Sequence, residues 1–457
     1  MIDYLTDIKN RVNSYEDAVS FIQSIPRFSA SNILPEDRFK MTSDLYEYLK
    51  KRGLIEERDI RVFHIAGTNG KGSVCAFLHS MHKTMGLKTG VFTSPHLTDI
   101  RERIVADDEM ISKEDFYESF MTVASAYEEF KKNGKYADYV PVYFDWLFFT
   151  AAVYFSRVKP DAIIWETGLG GSLDSTNVIG NKSVAVITEI GMDHMEILGN
   201  DIESIAAQKA GIITSAVPVV TVDKTEAALD VIKHRAEEFK ASLTVVPDHE
   251  HTAKKVTDKR IDFSYKSRYY NNATLAVVGH AAYQTENASL ALAAMECVYP
   301  KEMLTLDVMR KGLLSMKWAG RMEKIEDNVF FDGAHNFDGI DALLESVGYD
   351  GCRGRRYMLF SAVSDKQADL MLESIASSGL FYEVGLTPIH NDRSVDKDTL
   401  RKLSAVFDGS DTAVVIYDEL TSAYDAVKEG ITKEDVLYVC GSLYLVGELK
   451  AYIDKKR

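Results

Sequence analysis

Residues 61–73 read Arg-Val-Phe-His-Ile-Ala-Gly-Thr-Asn-Gly-Lys-Gly-Ser. Residues 62–66 predict a short buried strand, residues 74–81 have helical apolar spacing, and a tight glycine-rich loop separates them. Strand, glycine loop, lysine, hydroxyl and helix in this order are typical of phosphate-binding loops, because backbone N–H groups and the positive end of the helix dipole face the anion. We expect Lys71 to reach the terminal phosphates and Ser73 to place its hydroxyl near Mg²⁺.

The spacing of this loop departs from the general nucleotide-binding pattern G-x-x-x-x-G-K-[ST]. Ile65 stands where that pattern has its first glycine, and Gly72 stands where it has Ser or Thr. The alternative is an ordinary glycine-rich turn between a strand and a helix. We favour phosphate binding, because Lys71 and Ser73 stand where a phosphate loop needs them.

Length, charge and cysteine content limit the class of protein. The chain has 457 residues, which predicts two or three domains, and its net charge of −16 argues against a nucleic-acid partner. The four cysteines are scattered and form no C-x-x-C pair, which favours reduced thiols. We find no leader segment and no apolar run of about 18 residues, so we expect a cytoplasmic protein with no membrane partner.

Predicted strands and helices alternate along most of the chain, which indicates parallel sheets covered by helices. The predicted fold class is α/β, with an N-terminal P-loop-type doubly wound parallel sheet domain and a smaller C-terminal Rossmann-like domain. We place the two domains at residues 1–318 and 322–457. The predicted strands are 62–66, 88–92, 160–166, 183–190, 217–222 and 243–246 in the first domain, and 329–332, 356–362, 383–387, 413–417 and 436–440 in the second.

Helical spacing covers much of the remaining sequence, and residues 143–155 are apolar enough to predict a buried helix. Pro35 and the charged residues after it are interpreted as a loop, and residues 248–268 as a charged hairpin. The other predicted helices are 15–25, 39–52, 113–132, 202–213, 285–298, 306–314, 337–347, 366–377, 396–407 and 420–429.

Four polar clusters follow predicted strands of the first domain, at residues 67–73, 93–96, 166–171 and 191–194. Ligands of open parallel sheets bind beyond the carboxyl ends of the strands. We therefore expect the four clusters to converge on one site. A fifth polar loop, residues 332–336, follows the first strand of the second domain.

Several of these polar residues could hold a cation. Glu166 and His194 end neighbouring strands, although Mg²⁺ prefers oxygen ligands and the alternative for each is a loop hydrogen bond. Ser94 has the same alternative, since Ser-Pro often starts a turn. Lys209 lies on a helix of small residues, where a lysine is usually a solvated surface group.

Further polar residues could contact a nucleotide. Asn287 could bond an adenine edge or simply begin a helix. Arg321 could reach a phosphate when the domains close, or form an inter-domain ion pair. Asp332 and His335 could hold ribose or an amine substrate, or belong to a turn favoured by Asp-Gly.

Together these segments resemble the folylpolyglutamate synthase/dihydrofolate synthase family of the Mur ligase superfamily, over nearly the whole chain. Other Mur ligases usually carry a full nucleotide-sugar domain before the phosphate loop, and this chain has no room for one. The motifs that carry the resemblance are residues 64–73, 93–97 (TSPHL), 166–171 (ETGLGG), 193–194, 209–211, 320–321 and 332–336 (DGAHN).

The resemblance implies an ATP-dependent ligase that adds L-glutamate to a carboxylate of folate or dihydropteroate through an acyl phosphate. It also implies two Mg²⁺ ions and a carbamylated Lys209, and we expect a monomer. The implied catalytic residues are Lys71, Lys209, His194 and Arg321. The implied ATP-binding residues are Gly67, Thr68, Asn69, Gly70, Lys71, Gly72, Ser73, Asn287, Arg321, Asp332 and His335. The implied substrate-binding residues are Val142, Tyr143, Phe144, Asp145, Leu173, Asp174 and Ser175, and the implied metal ligands are Ser94, Glu166, His194 and Lys209.

Four positions depart from the family pattern. Ser172 stands where arginine is frequent, and Asp145 where glutamate is common, both near the expected pterin site. Gln208 replaces a usual glutamate and Ala319 a usual proline. Two alternatives remain open: a Mur-type ligase that acts on a non-pterin acid, and a nucleotide-binding module that has lost catalysis.

Overall fold

The computed structural model describes residues 8–25, 35–132, 136, 139–247, 253–257, 259–363, 367–390 and 393–456. The described strands form one sheet of eight strands, one of six and one of three. None of the described helices is both long and apolar enough to cross a membrane.

The eight-stranded sheet has the order β4-β3-β2-β5-β1-β6-β7-β8. The strands from β2 to β8 in this order run parallel, and the short β3 and β4 add an antiparallel edge. The six predicted strands are confirmed, whereas the antiparallel edge was not predicted. The strands are β1 (Arg61–Ala66), β2 (Thr89–Phe92), β3 (Ile104–Ala106), β4 (Glu109–Met110), β5 (Ala162–Glu166), β6 (Val184–Ile187), β7 (Val219–Val222) and β8 (Leu243–Val246).

Helices cover both faces of this sheet, which explains why β1 is buried on both sides. Val62 faces the core that α6 fills with aromatic side chains, while Phe63 and Ile65 face α4, α10 and α11. These helices are α1 (Ile8–Arg11), α2 (Tyr15–Ser24), α3 (Pro35–Lys51), α4 (Lys71–Thr84), α5 (Lys113–Lys131), α6 (Tyr143–Val158), α7 (Met195–Leu198), α8 (Ile202–Ala210), α9 (Glu226–Glu238), α10 (Gln284–Val298) and α11 (Leu306–Ser315).

The structure corrects two interpretations in this part of the chain. Pro35 lies in no loop but is the first residue of α3, a position where its fixed φ and missing N–H cost nothing. The charged hairpin is larger than expected and forms an antiparallel sheet of β9 (Ala253–Val256), β10 (Arg260–Ser267) and β11 (Asn271–Val278). Residues 248–252 and 258 of the expected hairpin lie outside the described residues.

The six-stranded sheet has the order β12-β13-β17-β14-β15-β16 and is parallel except for β12. The five predicted strands and four predicted helices are confirmed, although residue 366 lies outside the described residues; β12 and α16 were not predicted. The elements are β12 (Glu323–Glu326), β13 (Val329–Phe331), β14 (Arg356–Phe360), β15 (Glu383–Leu386), β16 (Ala413–Ile416), β17 (Val436–Cys440), α12 (Phe337–Val347), α13 (Ala368–Ser378), α14 (Lys397–Leu403), α15 (Leu420–Gly430) and α16 (Leu443–Lys456).

Candidate active site

The phosphate loop, residues 67–73, begins where β1 ends and leads into α4. Gly67 and Gly70 have φ values of 148° and 88°, a region that favours glycine. The side chains of Thr188 and Asn287 occupy the space that a Cβ would need at Gly67 and Gly70 respectively. Both glycines are therefore required by backbone conformation and by close packing.

Glycine is required at position 72 for a different reason. A Cβ at this position would lie 2.8 Å from Cζ2 of Trp318, which belongs to the segment between the two large sheets. Gly72 is the residue that replaces Ser or Thr of the general nucleotide-binding pattern. The departure in the sequence is thus explained by an indole ring packed directly on the first turn of α4.

Two lysines converge on the loop. Lys71 Nζ donates to the carbonyl oxygens of Gly67 and Thr68, both at 3.1 Å. Lys209, in the last turn of α8, is buried and donates from Nζ to the same Gly67 oxygen at 2.7 Å. The alternative that Lys209 is a solvated surface group is therefore wrong.

The first turn of α10 faces the loop from the other side. Ser73 is buried, and its Oγ accepts a hydrogen bond from Gln284 Nε2 at 3.2 Å. Asn287 Nδ2 donates to Gln284 Oε1 at 3.2 Å, and its own Oδ1 packs against Gly70. The predicted nucleotide residues Ser73 and Asn287 thus lie on one short network.

Glu166 and Ser94 meet at the ends of β5 and β2. Glu166 Oε2 accepts from the backbone N–H of Ser94 at 2.8 Å. Burial raises the pKa of Glu166 above its usual range, and the charges of Lys71 and Arg321 act in the opposite direction. A buried carboxylate surrounded by cationic side chains is suited to a site that handles charged ligands.

His194 and His335 lie near the same carboxylate, that of Asp193, although they follow strands of different sheets. The Nε2 atoms of both lie 3.9 Å from Oδ2 of Asp193. Asn336 joins them, since its Nδ2 donates to Asn69 Oδ1 at 3.1 Å and to Asp193 Oδ2 at 3.3 Å. The loop after β13 therefore reaches the phosphate loop directly.

Asp332 organises the segment that carries Arg321. Its Oδ2 accepts from Tyr283 Oη at 2.6 Å and from the N–H of Met322 at 2.7 Å, and its Oδ1 accepts from the N–H of Ala334 at 2.8 Å. Burial raises the pKa of Asp332, while the Arg321 guanidinium opposes this rise. In this arrangement Asp332 fixes the backbone around Arg321.

The predicted substrate segments, 142–145 and 173–175, contact each other. Asp145 is fully buried, forms an ion pair with Arg38 at 3.1 Å, and accepts hydrogen bonds from the N–H of Val142 and from the Ser175 hydroxyl. Asp174 accepts from the N–H groups of residues 168 and 169. These two carboxylates therefore hold the segments in place.

Sequence reasoning missed Arg103, a buried cation in this region. Its Nε donates to His96 Nδ1 at 2.8 Å, and its guanidinium carbon lies 5.5 Å from the Tyr143 ring centre. Its charge also opposes the raised pKa of Glu166. The only available signal was position, since residues 101–104 follow the TSPHL motif closely.

Glu166 is a donor of the kind that Mg²⁺ takes in proteins. Among the described residues, no three His, Cys, Asp or Glu side chains cluster as a metal site. Mg²⁺ is usually held by one or two carboxylates together with waters and substrate phosphates. Glu166 beside a phosphate loop matches that arrangement.

Comparisons with known proteins agree over most of the chain. The family model "Mur ligase, glutamate ligase domain" matches residues 320–443. The chain is 32% identical to a dihydrofolate synthase/folylpolyglutamate synthase of Bacillus subtilis (strain 168), over 86% of this chain and 90% of that protein. It is 30% identical to a mitochondrial folylpolyglutamate synthase of Homo sapiens, over 77% of this chain and 63% of that protein.

Solved structures give the same result. E. coli FolC in complex with DHPP and ADP superposes with a TM-score of 0.80 at 26% identity, over 98% of this chain and 99% of that one. Mycobacterium tuberculosis folylpolyglutamate synthase complexed with ADP gives 0.81 at 26% identity, over 99% and 98%. The chain belongs to the dihydrofolate synthase/folylpolyglutamate synthase family.

Proposed function

We propose that this protein is an ATP-dependent ligase that joins L-glutamate to a carboxylate of folate or dihydropteroate, forming an amide and releasing ADP and phosphate. The observation that carries the proposal is the meeting of three elements at one end of the large sheet: the phosphate loop, the buried Lys209, and the Glu166–Ser94 pair. Membership of the family supports the choice of glutamate and folate as substrates.

The chemistry requires activation of the acid. A carboxylate is a poor electrophile, so the γ-phosphoryl group of ATP is first transferred to it, which gives an acyl phosphate and ADP. The amine of glutamate then attacks the acyl carbon, and phosphate leaves. Lys71 over the loop and Arg321 at the facing segment would stabilise charge on the phosphoryl oxygens during transfer.

Ser94, Glu166 and His194 would hold Mg²⁺, with Lys209 as a carbamate at a second ion. The ions would supply charge neutralisation at the phosphate oxygens. A carbamate would give Lys209 two oxygen ligands, whereas a cationic amine cannot bind a metal. The position of Lys209 Nζ, 2.7 Å from the Gly67 oxygen, would place that group beside the loop.

Asn287, Asp332 and His335 would contact ATP, and residues 142–145 and 173–175 would lie near the pterin. Glu166, Asp174 and Asp332 are buried acids whose pKa values are raised by burial.

Because one chain supplies every residue of the proposed site, we also propose that the enzyme acts as a monomer. Size-exclusion chromatography with light scattering tests the oligomeric state.

The decisive experiment is a substrate panel. ADP formation is measured with dihydropteroate, tetrahydrofolate and non-pterin acids, each with and without L-glutamate, and products are sized by mass. We expect glutamate-dependent turnover with a pterin acid, and the mass of the products distinguishes first addition from tail extension. Turnover only with a non-pterin acid, or ATP binding without turnover, would overturn the proposal.

A further inference from the structure

The segment between β5 and β6 is folded around Asp174. Asp174 Oδ2 accepts from the N–H groups of Gly168 and Leu169, at 2.8 and 3.0 Å. Its Oδ1 accepts from the N–H of Thr176 at 3.0 Å. Residues 168–178 are therefore tied to the end of β5, where Glu166 stands.

The other side of this segment is fastened to the end of α8. The N–H of Ser172 donates to Gln208 O at 2.8 Å, and its hydroxyl donates to Gln208 Oε1 at 2.5 Å. Asn177 Nδ2 donates to the carbonyl oxygens of Ser172 and Gly211, both at 3.1 Å. A Cβ at Gly171 would lie 2.8 Å from the carbonyl oxygens of residues 208 and 209, so the backbones themselves are in contact.

Lys182, which lies just before β6, completes this set of contacts. Its buried Nζ donates to Asn177 Oδ1 at 2.7 Å and to the carbonyl oxygen of Ile212 at 3.1 Å. Carbonyl groups at the end of a helix lack partners within the helix and attract donors. Lys182 thus bridges the 168–178 segment and the residues that follow α8.

Lys182 is buried, and burial changes its pKa. Burial lowers the pKa of Lys182 to about 7, while the Asp174 carboxylate acts in the opposite direction. His64 is also close, and its pKa is held well below the usual range by burial and by Lys182. A buried amine is costly unless its hydrogen bonds are made, so Lys182 keeps Asn177 and Ile212 in fixed positions.

The end of α8 is also the part of the helix that carries Lys209. Lys209 Nζ donates to Gly67 O. A continuous chain of contacts therefore runs from the segment expected to bind the acid, through the end of α8, to the phosphate loop.

We propose that Ser172, Asn177 and Lys182 form a polar joint of positioning residues, which holds residues 168–178 and the Lys209 end of α8 as one unit. This proposal rests on the proposed function, which places the acid near residues 142–145 and 173–175 and the metal-binding group at Lys209. The joint fixes the distance between the carboxylate to be activated and the phosphoryl group that activates it. It acts through other residues and touches no reacting atom.

The test is a kinetic comparison of Lys182→Met, Ser172→Ala and the double variant, with acid and ATP varied separately. We expect kcat/KM for the acid to fall about tenfold in Lys182→Met and less in Ser172→Ala, with KM for ATP within about twofold of wild type. The fold-change in kcat/KM for the acid should be smaller in the double variant than the product of the two single fold-changes, because both substitutions loosen the same joint. A general loss of structure would instead lower the active fraction without this split between acid and ATP.

Lys428→Met is the matched control, because Lys428 pairs with Glu326 at 2.9 Å in the C-terminal part of the chain and lies outside the joint. An unchanged kcat/KM for the acid in folded Lys182→Met, or fully multiplicative effects, would overturn the proposal. If Lys182→Met does not fold, Ser172→Ala alone decides by the same comparison of acid and ATP.

Hydrogen–deuterium exchange separates failure of the joint from failure of the proposed function. If the wild type turns over no pterin acid, the proposed function fails, and exchange still tests the joint. We expect Ser172→Ala to speed exchange in residues 168–178 and 208–213 together. Faster exchange in only one segment, or in neither, would overturn the joint.

Discussion

At the scale of single residues, Lys209 differs most from what its sequence surroundings suggest. A lysine among small helical residues is usually solvated, yet Lys209 is buried against the Gly67 carbonyl oxygen. The residues alone gave no reason for burial, because the partner is 142 positions away in the chain. Only the family resemblance pointed to this lysine.

We expect Lys209→Ala to lose about 100-fold or more of glutamate-dependent ADP formation, because the proposed second metal loses its ligand. Wild-type activity should fall in bicarbonate-free buffer and recover when bicarbonate is added. Lys428→Met serves as the control for loss of a lysine. Full activity of Lys209→Ala would remove the carbamate proposal.

Lys182 predicts a pH dependence of stability. Its pKa is lowered from 10.5 to about 7 by burial, so between these values the unfolded chain holds a proton that the folded chain does not. The free energy of unfolding therefore rises with pH in this window. Lys182→Met lacks this rise. The gap between the free energies of unfolding of wild type and Lys182→Met should therefore widen by about 1–3 kcal/mol in favour of wild type from about pH 7 to pH 9.

Urea denaturation at both pH values measures this difference. A constant gap between Lys182→Met and wild type at the two pH values would contradict the assignment.

At the scale of elements, most periodic strands and helices were predictable, but the helices α9 and α16 and the short edge strands were not. Strands such as β1 and helices such as α6 have a clear apolar pattern, because they are buried on most sides. β4 and β12 are short and partly exposed at sheet edges, so their side chains do not show the apolar pattern that would predict a paired strand. The Pro35 error arose from treating proline as a breaker where it is a helix start.

The joining of β1 to α4 gives a prediction at this scale. Gly72→Ala would bring a methyl group to 2.8 Å from the Trp318 ring. We expect it to lower the free energy of unfolding by about 1–3 kcal/mol and to raise KM for ATP, because the ring or the loop must move. Urea denaturation and ATP titration of the rate measure the two effects.

Gly430→Ala is the control for this substitution, since a Cβ at Gly430 meets no atom within 4 Å. Trp318→Leu introduced into Gly72→Ala should recover part of both losses. If Gly72→Ala matches wild type in stability and in KM for ATP, the packing of Trp318 on the loop contributes neither to stability nor to ATP binding.

At the scale of the whole molecule, we propose that the chain divides into residues 1–318 and 322–457. No strand of the eight-stranded sheet pairs with a strand of the six-stranded sheet among the described residues. Contacts across the boundary include Leu97 against Gly447 of α16, and the hydrogen bond from Asn336 to Asn69. The two parts thus meet where the proposed site lies.

Asn336 allows this meeting to be tested. Its Oδ1 caps α12 by accepting from the N–H of Gly339, and its Nδ2 donates to Asn69 and Asp193. Asn336→Asp keeps a good helix cap but removes both donors and adds a negative charge beside Asp193. We expect about tenfold lower kcat/KM for ATP with little change in melting temperature.

Asn336→Ser keeps a cap without the added charge, so the difference between the two variants isolates repulsion by Asp193. Wild-type kinetics in Asn336→Asp would show that this inter-sheet contact has no role in ATP use.

The site was predictable in outline, because parallel strands deliver their polar ends to one edge of a sheet. The loops at 67–73, 93–96 and 166–171 follow that rule. The contacts of Arg103 with Tyr143 and of Asn336 with Asn69 were not predicted, since each joins residues that are distant in the sequence. The resemblance likewise marked Ser172 and Gln208 as separate departures, and the structure shows them bonded to each other.

The indole of Trp318 on Gly72 has a practical consequence. The chain has three tryptophans, and Trp146 and Trp165 are both buried in the aromatic core. Trp318 is half-buried and rests on the turn that would receive the nucleotide phosphates. We therefore expect intrinsic fluorescence to serve as a label-free optical reporter of this loop.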